Sequence, residues 1–221
     1  TLIELYENGK PSGKKQWTKQ LGTSENDSGS SVTTDYSGNI YVTGRTEGGL
    51  DGNHHDPDDD IHLVALVQRM RALLNEQTTL NGHEYLLTIA SSGNPNYMDN
   101  LALDSLVQYL DWINIMSYDF HGPWGGDGDP TTNFNSPLFA TDADPSPELY
   151  ADNFNLAASV QNYVEHGVPR EKLNAGLAFY GRAYGNVENI NNGLYAQYDG
   201  VADDGTWEDG FYDYWDLEQN Y

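Results

Sequence analysis

The chain has 221 residues, enough for one domain of ordinary size or two small ones. It contains no cysteine, which excludes disulfides and cysteine-based metal or redox sites. Its 34 acidic and 10 basic residues give a formal net charge of −24, which repels nucleic acid and anionic membranes, so we predict neither as a partner.

The first predicted elements lie in a segment whose charge differs from that of the remaining chain. Residues 1–52 contain 7 acidic and 5 basic residues, whereas residues 53–221 contain 27 and 5, so we place a domain boundary near residue 52. Two short strands are predicted at Val32–Thr34 and Ile40–Thr43, separated by the turn sequence "DYSGN". The spacing is typical of antiparallel strands with glycine at the corners.

This segment resembles one copy of the SBBP-type β-propeller repeat of bacterial surface and secreted proteins. The resemblance rests on "WTKQLGTS", "DYSGNIYVTG" and "LDGN". Propellers stack about 4–8 blades, and each repeat buries its apolar face against its neighbours. Because we find a single copy, we expect a structural repeat that carries no chemistry.

A helix is predicted over residues 61–75, where apolar residues recur at helical spacing. The residues of this stripe are Leu63, Leu66, Val67, Met70, Leu73 and Leu74. The preceding "HHDPDDD" could be a Ca²⁺ loop, but the spaced ligands and turn glycine of an EF-hand are missing. We therefore interpret these aspartates as a solvated helix start, where the helix dipole favours negative charge.

Strands and helices alternate along the rest of the chain, which predicts parallel βαβ units and a barrel of the α/β class. The predicted elements, in order, are a strand at 85–92, a helix at 99–110, a strand at 112–119, a helix at 152–166 closed by Gly167 and Pro169, and a strand at 172–184.

The strand at 112–119 is expected to point three polar or flexible side chains toward the barrel interior. Alternation places Asn114, Met116 and Tyr118 on one face and Ile113, Ile115 and Ser117 on the opposite face, which should pack on helices. The later strand ends in Tyr180 and Arg182. In a barrel of such units the functional groups lie at the carboxyl ends of the strands.

"LDWINIMSYDFHGPW" closely resembles the sixth barrel strand of family 18 glycoside hydrolases, the chitinases and their relatives. "VPREKLNAGLAFYGRAY" resembles the seventh strand and "YLLTIASS" the fifth, so the resemblance covers roughly residues 55–185. It implies a partial (β/α)8 TIM barrel within residues 53–221, with residues 186–221 forming the start of an α+β insertion.

The resemblance also implies roles for six residues. Tyr118 and Asp119 would bind the N-acetyl group of the sugar at the cleavage point, above a floor that contains Met116. Trp124 would stack on a sugar ring, because pyranose faces carry C–H groups that suit an aromatic plane. Tyr180 and Arg182 would bind the sugar from the next strand. Neither a cofactor nor a metal is expected.

The family mechanism is retaining and substrate-assisted: the acetamide oxygen attacks the anomeric carbon while a glutamic acid protonates the leaving oxygen. That acid closes a D-x-x-D-x-D-x-E motif, which occurs nowhere in this chain. Glu47 follows a predicted strand, as the acid of that motif does. The aspartates of the motif are missing before it, however, so we reject Glu47 as the general acid. We therefore expect this chain to lack catalytic activity by itself.

Three functions remain open from the sequence. The first is a chitinase-family segment that acts on chitin or related N-acetylglucosamine polymers. The second is a chitin-binding, lectin-like module without catalysis, and the third is a structural surface protein with propeller repeats. The chain begins at Thr1 without an apolar leader, so we expect an excised or mature segment, and the resemblance implies an extracellular or secreted protein.

Overall fold

A computed structural model describes the backbone of residues 6–7, 10–11, 27–34, 40–46, 59–99 and 101–221, and the side chains from residue 63 onward. The chain divides into two compact units, Thr1–Leu86 and Leu87–Tyr221. The predicted turn at 35–39, most of the acidic "HHDPDDD" segment and Glu47 lie outside the described residues. The predicted boundary near residue 52 therefore stays a prediction.

The first unit contains two antiparallel strand pairs. Strands β1 (Tyr6–Glu7) and β2 (Lys10–Pro11) form one pair. Strands β3 (Asp27–Thr34) and β4 (Ile40–Thr46) form the other. The two strands predicted from the sequence overlap this second pair, in which β3 begins earlier and β4 ends later than expected. The propeller repeat itself stays a prediction.

Helix α1 (Asp59–Asn81) follows the second strand pair. It continues six residues beyond the predicted end, because the sequence offers no helix breaker until Gly82. Gly82 has a φ of +72° and donates its N–H to the carbonyl of Thr78 at 2.7 Å, which closes the helix. Within the part of the chain that the structure describes, no helix is both long and apolar enough to cross a membrane.

The second unit is built around a three-stranded parallel sheet. Its strands are β5 (Thr88–Ser92), β6 (Trp112–Met116) and β7 (Leu173–Ala175), and β6 lies in the centre. Both neighbours pair with β6 in parallel. The parallel pairing predicted for these three strands is confirmed, and all their carboxyl ends lie at one edge of the sheet.

Short helices connect the parallel strands. Helices α2 (Pro95–Met98) and α3 (Leu103–Leu106) lie between β5 and β6. Helices α4 (Glu148–Asn153) and α5 (Leu156–Glu165) lie between β6 and β7. The single helix predicted over 99–110 is wrong.

The chain after α3 continues in tight turns rather than as an α-helix. The N–H groups of Gln108 and Tyr109 donate to carbonyls only three residues earlier, the tighter spacing of a 3₁₀ turn. The buried apolar side chains of this segment recur at the one-sided spacing of a helix, which is why the sequence pattern predicts a longer one; they are Leu103, Leu106, Val107 and Leu110.

The predicted alternation along β6 is confirmed. Ile113, Ile115 and Ser117 are fully buried, whereas Met116 on the opposite face remains 39% exposed. Helix α5 is hydrogen-bonded to the neighbouring strand β5. The buried hydroxyl of Tyr163 donates to the carbonyl of Ser92 at 2.8 Å, at the carboxyl end of β5.

The single strand predicted over 172–184 is wrong, because the chain changes sheets at Gly176. Strand β8 (Tyr180–Arg182) pairs antiparallel with β9 (Phe211–Asp213), and helix α6 (Tyr214–Asn220) follows. At Gly176 the N–H donates to the carbonyl of Ile115 at 2.8 Å, and a Cβ atom there would lie 2.6 Å from that oxygen. Glycine therefore permits the close approach at which β7 ends.

We expect Gly176→Ala to destabilise the second unit by about 1–3 kcal/mol, the usual cost of inserting a methyl group into a packed position. The new Cβ atom would also lie 2.9 Å from the ring of Tyr118. Urea unfolding gives the measurement. Gly181→Ala is the matched control, since its Cβ atom would meet only the mobile end of Leu217, at 3.0 Å. Equal unfolding midpoints for the two variants would contradict this explanation.

Candidate functional site

Tyr118 and Asp119 follow directly after β6, at the carboxyl edge of the parallel sheet. Asp119 has a φ of +55°, in the left-handed region that few residues other than glycine adopt. Its N–H donates to Oδ1 of Asn135 at 2.8 Å. This hydrogen bond from a distant loop supports a backbone conformation that turns the Asp119 carboxylate toward β8.

Asp119 and Arg182 form a bidentate ion pair. Nε of Arg182 lies 3.0 Å from Oδ1 of Asp119, and Nη2 lies 3.1 Å from Oδ2. The hydrogen bond to Asp119 is the largest cause that raises the pKa of Arg182. The side chain of Asp119 is 35% exposed and that of Arg182 is 22% exposed, so the pair remains accessible to a ligand. Two parallel N–H···O bonds hold both groups in one plane.

Three aromatic rings surround the Arg182 guanidinium. Its central carbon lies 5.6 Å from the ring centre of Trp124, 5.4 Å from that of Tyr180 and 5.0 Å from that of Phe211. The rings of Tyr180 and Phe211 are stacked at 4.9 Å. Cation–π contacts at these distances are attractive, so the rings and the ion pair fix the direction of Arg182 together.

Tyr180 places a hydroxyl group beside the ion pair. Burial is the largest of the causes that raise its pKa from 10.0 to about 12, and interaction with the Asp119 carboxylate adds to it. Its ring also contacts Tyr118 edge to face, with 6.0 Å between the ring centres. Tyr180 therefore stays protonated at neutral pH and can act as a hydrogen-bond donor.

Trp124 lies on a loop that hydrogen bonds hold in place. The N–H of Gly122 donates to Oδ1 of Asp129 at 3.0 Å, and the N–H of Gly125 donates to the hydroxyl of Tyr198 at 3.1 Å. The indole packs against Gly122, where a Cβ atom would come within 2.7 Å of the ring. Half of Trp124 is nevertheless exposed, which leaves an aromatic surface available to a ligand.

The structure brings five of the six residues predicted for the site into one constellation: Tyr118, Asp119, Trp124, Tyr180 and Arg182. Met116 is the last residue of β6 and lies two positions before Tyr118 on the same face. An open cleft of about 430 Å³ adjoins the constellation, with Arg182 and Phe134 in its lining. This volume is within the range of small-ligand sites.

Sequence reasoning missed Asn135 and Phe211. Phe211 reaches the site because it is the register partner of Arg182 in the β8–β9 pair, and Asn135 reaches it through a loop. Neither position has a local sequence pattern that would single it out. Among the described residues, no group of three or more histidine, cysteine or acidic side chains could hold a metal ion.

Comparison with known proteins places this geometry in a family. The family model of the glycosyl hydrolases family 18 matches residues 33–221. Chitinase A1 from Niallia circulans is 40% identical over 177 residues, which cover 79% of this chain and 24% of the relative.

Two solved structures are also similar. Chitinase ChiA74 from Bacillus thuringiensis superposes with a TM-score of 0.67 at 37% identity, over 77% of this chain and 28% of its own. YKL-39, determined in the presence of chitooligosaccharides, gives a TM-score of 0.64 at 27% identity, over 74% of this chain and 44% of its own. The parallel strands β5, β6 and β7 thus belong to a TIM-barrel-type α/β fold, and the chain spans less than half of the length of each of these relatives.

We expect Asp119→Asn to lower the pKa of Tyr180 from about 12 toward 10, because the negative charge and the carboxylate acceptor are both removed. Burial remains, so the pKa should stay above 10.0. Tyrosinate absorbance, taken as the difference between each chain and its Tyr180→Phe counterpart, measures this titration. Asp144→Asn serves as the control, because its carboxylate acts on Tyr195 instead. An unchanged Tyr180 midpoint in Asp119→Asn would refute the assigned cause.

Proposed function

The chain belongs to glycosyl hydrolase family 18, and we propose that its second unit binds N-acetylglucosamine oligosaccharides of the chitin type. The observation that carries this proposal is the Asp119–Arg182 pair at the carboxyl edge of the parallel sheet, surrounded by Tyr118, Tyr180 and Trp124. The group offers a carboxylate, hydroxyl donors and an exposed aromatic face close together. These are the groups that an uncharged, acetamide-bearing sugar needs.

Each side chain has a role in this proposal. Tyr118 and Asp119 hydrogen-bond the acetamide group, and Met116 forms the floor beneath it. Trp124 stacks on a neighbouring sugar ring, a role that its half-exposed indole supports. Tyr180 and Arg182 hold the sugar from β8, while Arg182 also keeps the Asp119 carboxylate in one orientation.

We further propose that this chain binds without hydrolysing. In the substrate-assisted mechanism the acetamide oxygen displaces the leaving group, and an acid must protonate the departing oxygen. The residues above position the acetamide, but the chain has no D-x-x-D-x-D-x-E motif to supply that acid. As it stands, the chain is therefore closer to a chitin-binding, lectin-like module than to a complete enzyme. An extracellular location stays part of this proposal.

Replacing Trp124 tests the binding site. We expect Trp124→Ala to weaken the binding of tetra-N-acetylchitotetraose by about 2- to 10-fold, the equivalent of an aromatic contact of 0.5–1.5 kcal/mol. Isothermal titration calorimetry measures the affinity. Phe139→Ala is the control for the loss of an exposed aromatic ring outside the site, and it should leave the affinity unchanged. A glucose tetramer, which has no acetamide groups, is the ligand control and should not bind. Unchanged affinity in Trp124→Ala would remove Trp124 from the site.

A fluorogenic chitobiose substrate tests catalysis. We expect no turnover above background, because losing general acid assistance lowers the rate about 10²–10⁴-fold. This loss corresponds to an increase of roughly 3–5 kcal/mol in the activation free energy. Asp119→Ala provides the matched reference, and its rate should equal that of the unmutated chain. Turnover that Asp119→Ala abolishes would show that another carboxylate of this chain supplies the proton.

A further inference from the structure

The loop that carries Trp124 has little packing to hold its shape just after the indole. Gly125 and Gly126 have φ values of +72° and +93°, in the left-handed region that glycine adopts readily. Apart from their chain neighbours, no heavy atom of the described residues lies within 4 Å of the position that a Cβ atom would take at either glycine. The conformation of this part of the loop therefore depends on its hydrogen bonds.

The hydroxyl of Tyr198 makes two hydrogen bonds to the backbone of this loop. It accepts the N–H of Gly125 at 3.1 Å and donates its proton to the carbonyl of Asp129 at 3.0 Å. A phenol hydroxyl can donate and accept at the same time, so the two contacts are compatible. A side chain 73 positions beyond Gly125 thus bridges two points of the Trp124 loop.

Asp129 holds the same loop on the other side of Trp124. Its carboxylate accepts the N–H of Gly122 at 3.0 Å, and its own N–H donates to the carbonyl of Gly126 at 3.2 Å. The backbone is therefore held before the indole by Asp129 and after it by Tyr198, and the Tyr198 hydroxyl is bonded to Asp129 as well.

Tyr198 itself is placed by contacts that do not involve the Trp124 loop. The N–H of Thr132 donates to the carbonyl of Ala196 at 2.9 Å, and the N–H of Ala196 donates to Oγ1 of Thr132 at 3.0 Å. Both residues are buried. The ring of Tyr198 also contacts that of Tyr184 edge to face, with 4.8 Å between the ring centres. These contacts fix the hydroxyl, which can then act on the loop as an anchor.

We propose that Tyr198 is a positioning residue of the sugar-binding site, whose hydroxyl sets the direction of the Trp124 indole by holding the loop at Gly125. The sugar contacts Trp124 and does not contact Tyr198. This inference deepens the proposed function and rests on it.

An indole held in advance makes binding less costly. The Trp124 ring centre lies 5.6 Å from the central carbon of the Arg182 guanidinium, so the loop keeps the stacking face beside the Asp119–Arg182 pair. A side chain that is already ordered does not lose its freedom when a ligand arrives. Tyr198 therefore contributes to affinity through the geometry of Trp124.

The variant that isolates the hydroxyl is Tyr198→Phe, because it keeps the ring that packs on Tyr184 and removes both hydrogen bonds. Tyr184 supplies the matched control. Its hydroxyl also bridges two backbone groups: it accepts the N–H of Asn133 and donates to the carbonyl of Asn133, both at 3.3 Å. Tyr184→Phe therefore removes an equivalent pair of hydrogen bonds without freeing Gly125.

The first experiment is a double-mutant cycle with Trp124→Ala, measured as the affinity for tetra-N-acetylchitotetraose. We expect Tyr198→Phe to weaken binding about 2- to 5-fold in the unmutated chain, because the indole must then be ordered by the ligand. In the Trp124→Ala background the further loss should be under about 1.5-fold, since no indole is left to position. Tyr184→Phe should have equal effects in both backgrounds. Equal losses for Tyr198→Phe in both backgrounds, or no loss at all, would overturn the proposal.

The second experiment reads the Trp124 indole without a ligand. The chain contains five tryptophans, and incorporation of 5-fluorotryptophan gives each a ¹⁹F NMR resonance. The resonance of Trp124 is the one that Trp124→Phe removes. We expect Tyr198→Phe to shift or broaden this resonance and to leave the other four unchanged, whereas Tyr184→Phe should leave the Trp124 resonance unchanged.

The two experiments separate this inference from the proposed function. If the unmutated chain binds no oligosaccharide but Tyr198→Phe moves the Trp124 resonance alone, the proposed function fails and the positioning of Trp124 by Tyr198 stands. If the chain binds but the Trp124 resonance does not move, or all five resonances move together, the positioning role fails alone. Absence of binding together with an unmoved Trp124 resonance overturns both.

Discussion

The bidentate ion pair between Asp119 and Arg182 is the contact on which the arrangement of the site depends. It joins the end of β6 to β8, and therefore the parallel sheet to the β8–β9 pair, across 63 positions of the chain. Isolated surface ion pairs contribute little to stability. Here both carboxylate oxygens are engaged and three aromatic rings lie around the guanidinium. Neither side chain can rotate without breaking two hydrogen bonds, so each fixes the direction of the other.

The charge of the chain restricts which ligands this pair can serve. Residues 53–221 contain only five basic residues against 27 acidic ones. Two of the basic groups donate to backbone carbonyls: Arg71 to Tyr85, and Lys172 to Val107 and Leu110. Arg182 is matched by Asp119. An anionic ligand would therefore meet a repulsive field, whereas the amide and hydroxyl groups of a neutral sugar would not. The charge of residues 53–221 thus favours an uncharged sugar, which is the class of ligand that the family resemblance also implies.

The features that the sequence predicted well are those governed by local periodicity. The alternation along β6 identified its buried isoleucines and placed Tyr118 on the opposite face, and parallel pairing followed from the order of strands and helices. The errors have tertiary causes. Residues 172–184 were predicted as one strand because nothing in the local pattern shows that Gly176 must approach the Ile115 carbonyl.

The two residues missed at the site have a related explanation. Asn135 acts through a hydrogen bond to a backbone N–H 16 positions away, and Phe211 acts through strand register. Both contacts exist only once the chain has folded, so a motif that ends at Trp124 could not include them. The family resemblance supplied the side chains that we propose to face the ligand, whereas their supports became visible only in the structure.

These supports all lie within the second unit, and this has a consequence for function. Asp119 is held by Asn135 and Arg182, Tyr180 by its stacking on Phe211, and Trp124 by its own loop. None of these contacts involves the strand on which the family carries its general acid. The side chains proposed to hold the sugar can therefore keep their geometry in a chain without that acid. In the proposed function, binding and chemistry are thus carried by different elements: the proposed sugar contacts are held by the end of β6, one loop and the β8–β9 pair, whereas the family's general acid belongs to a different strand.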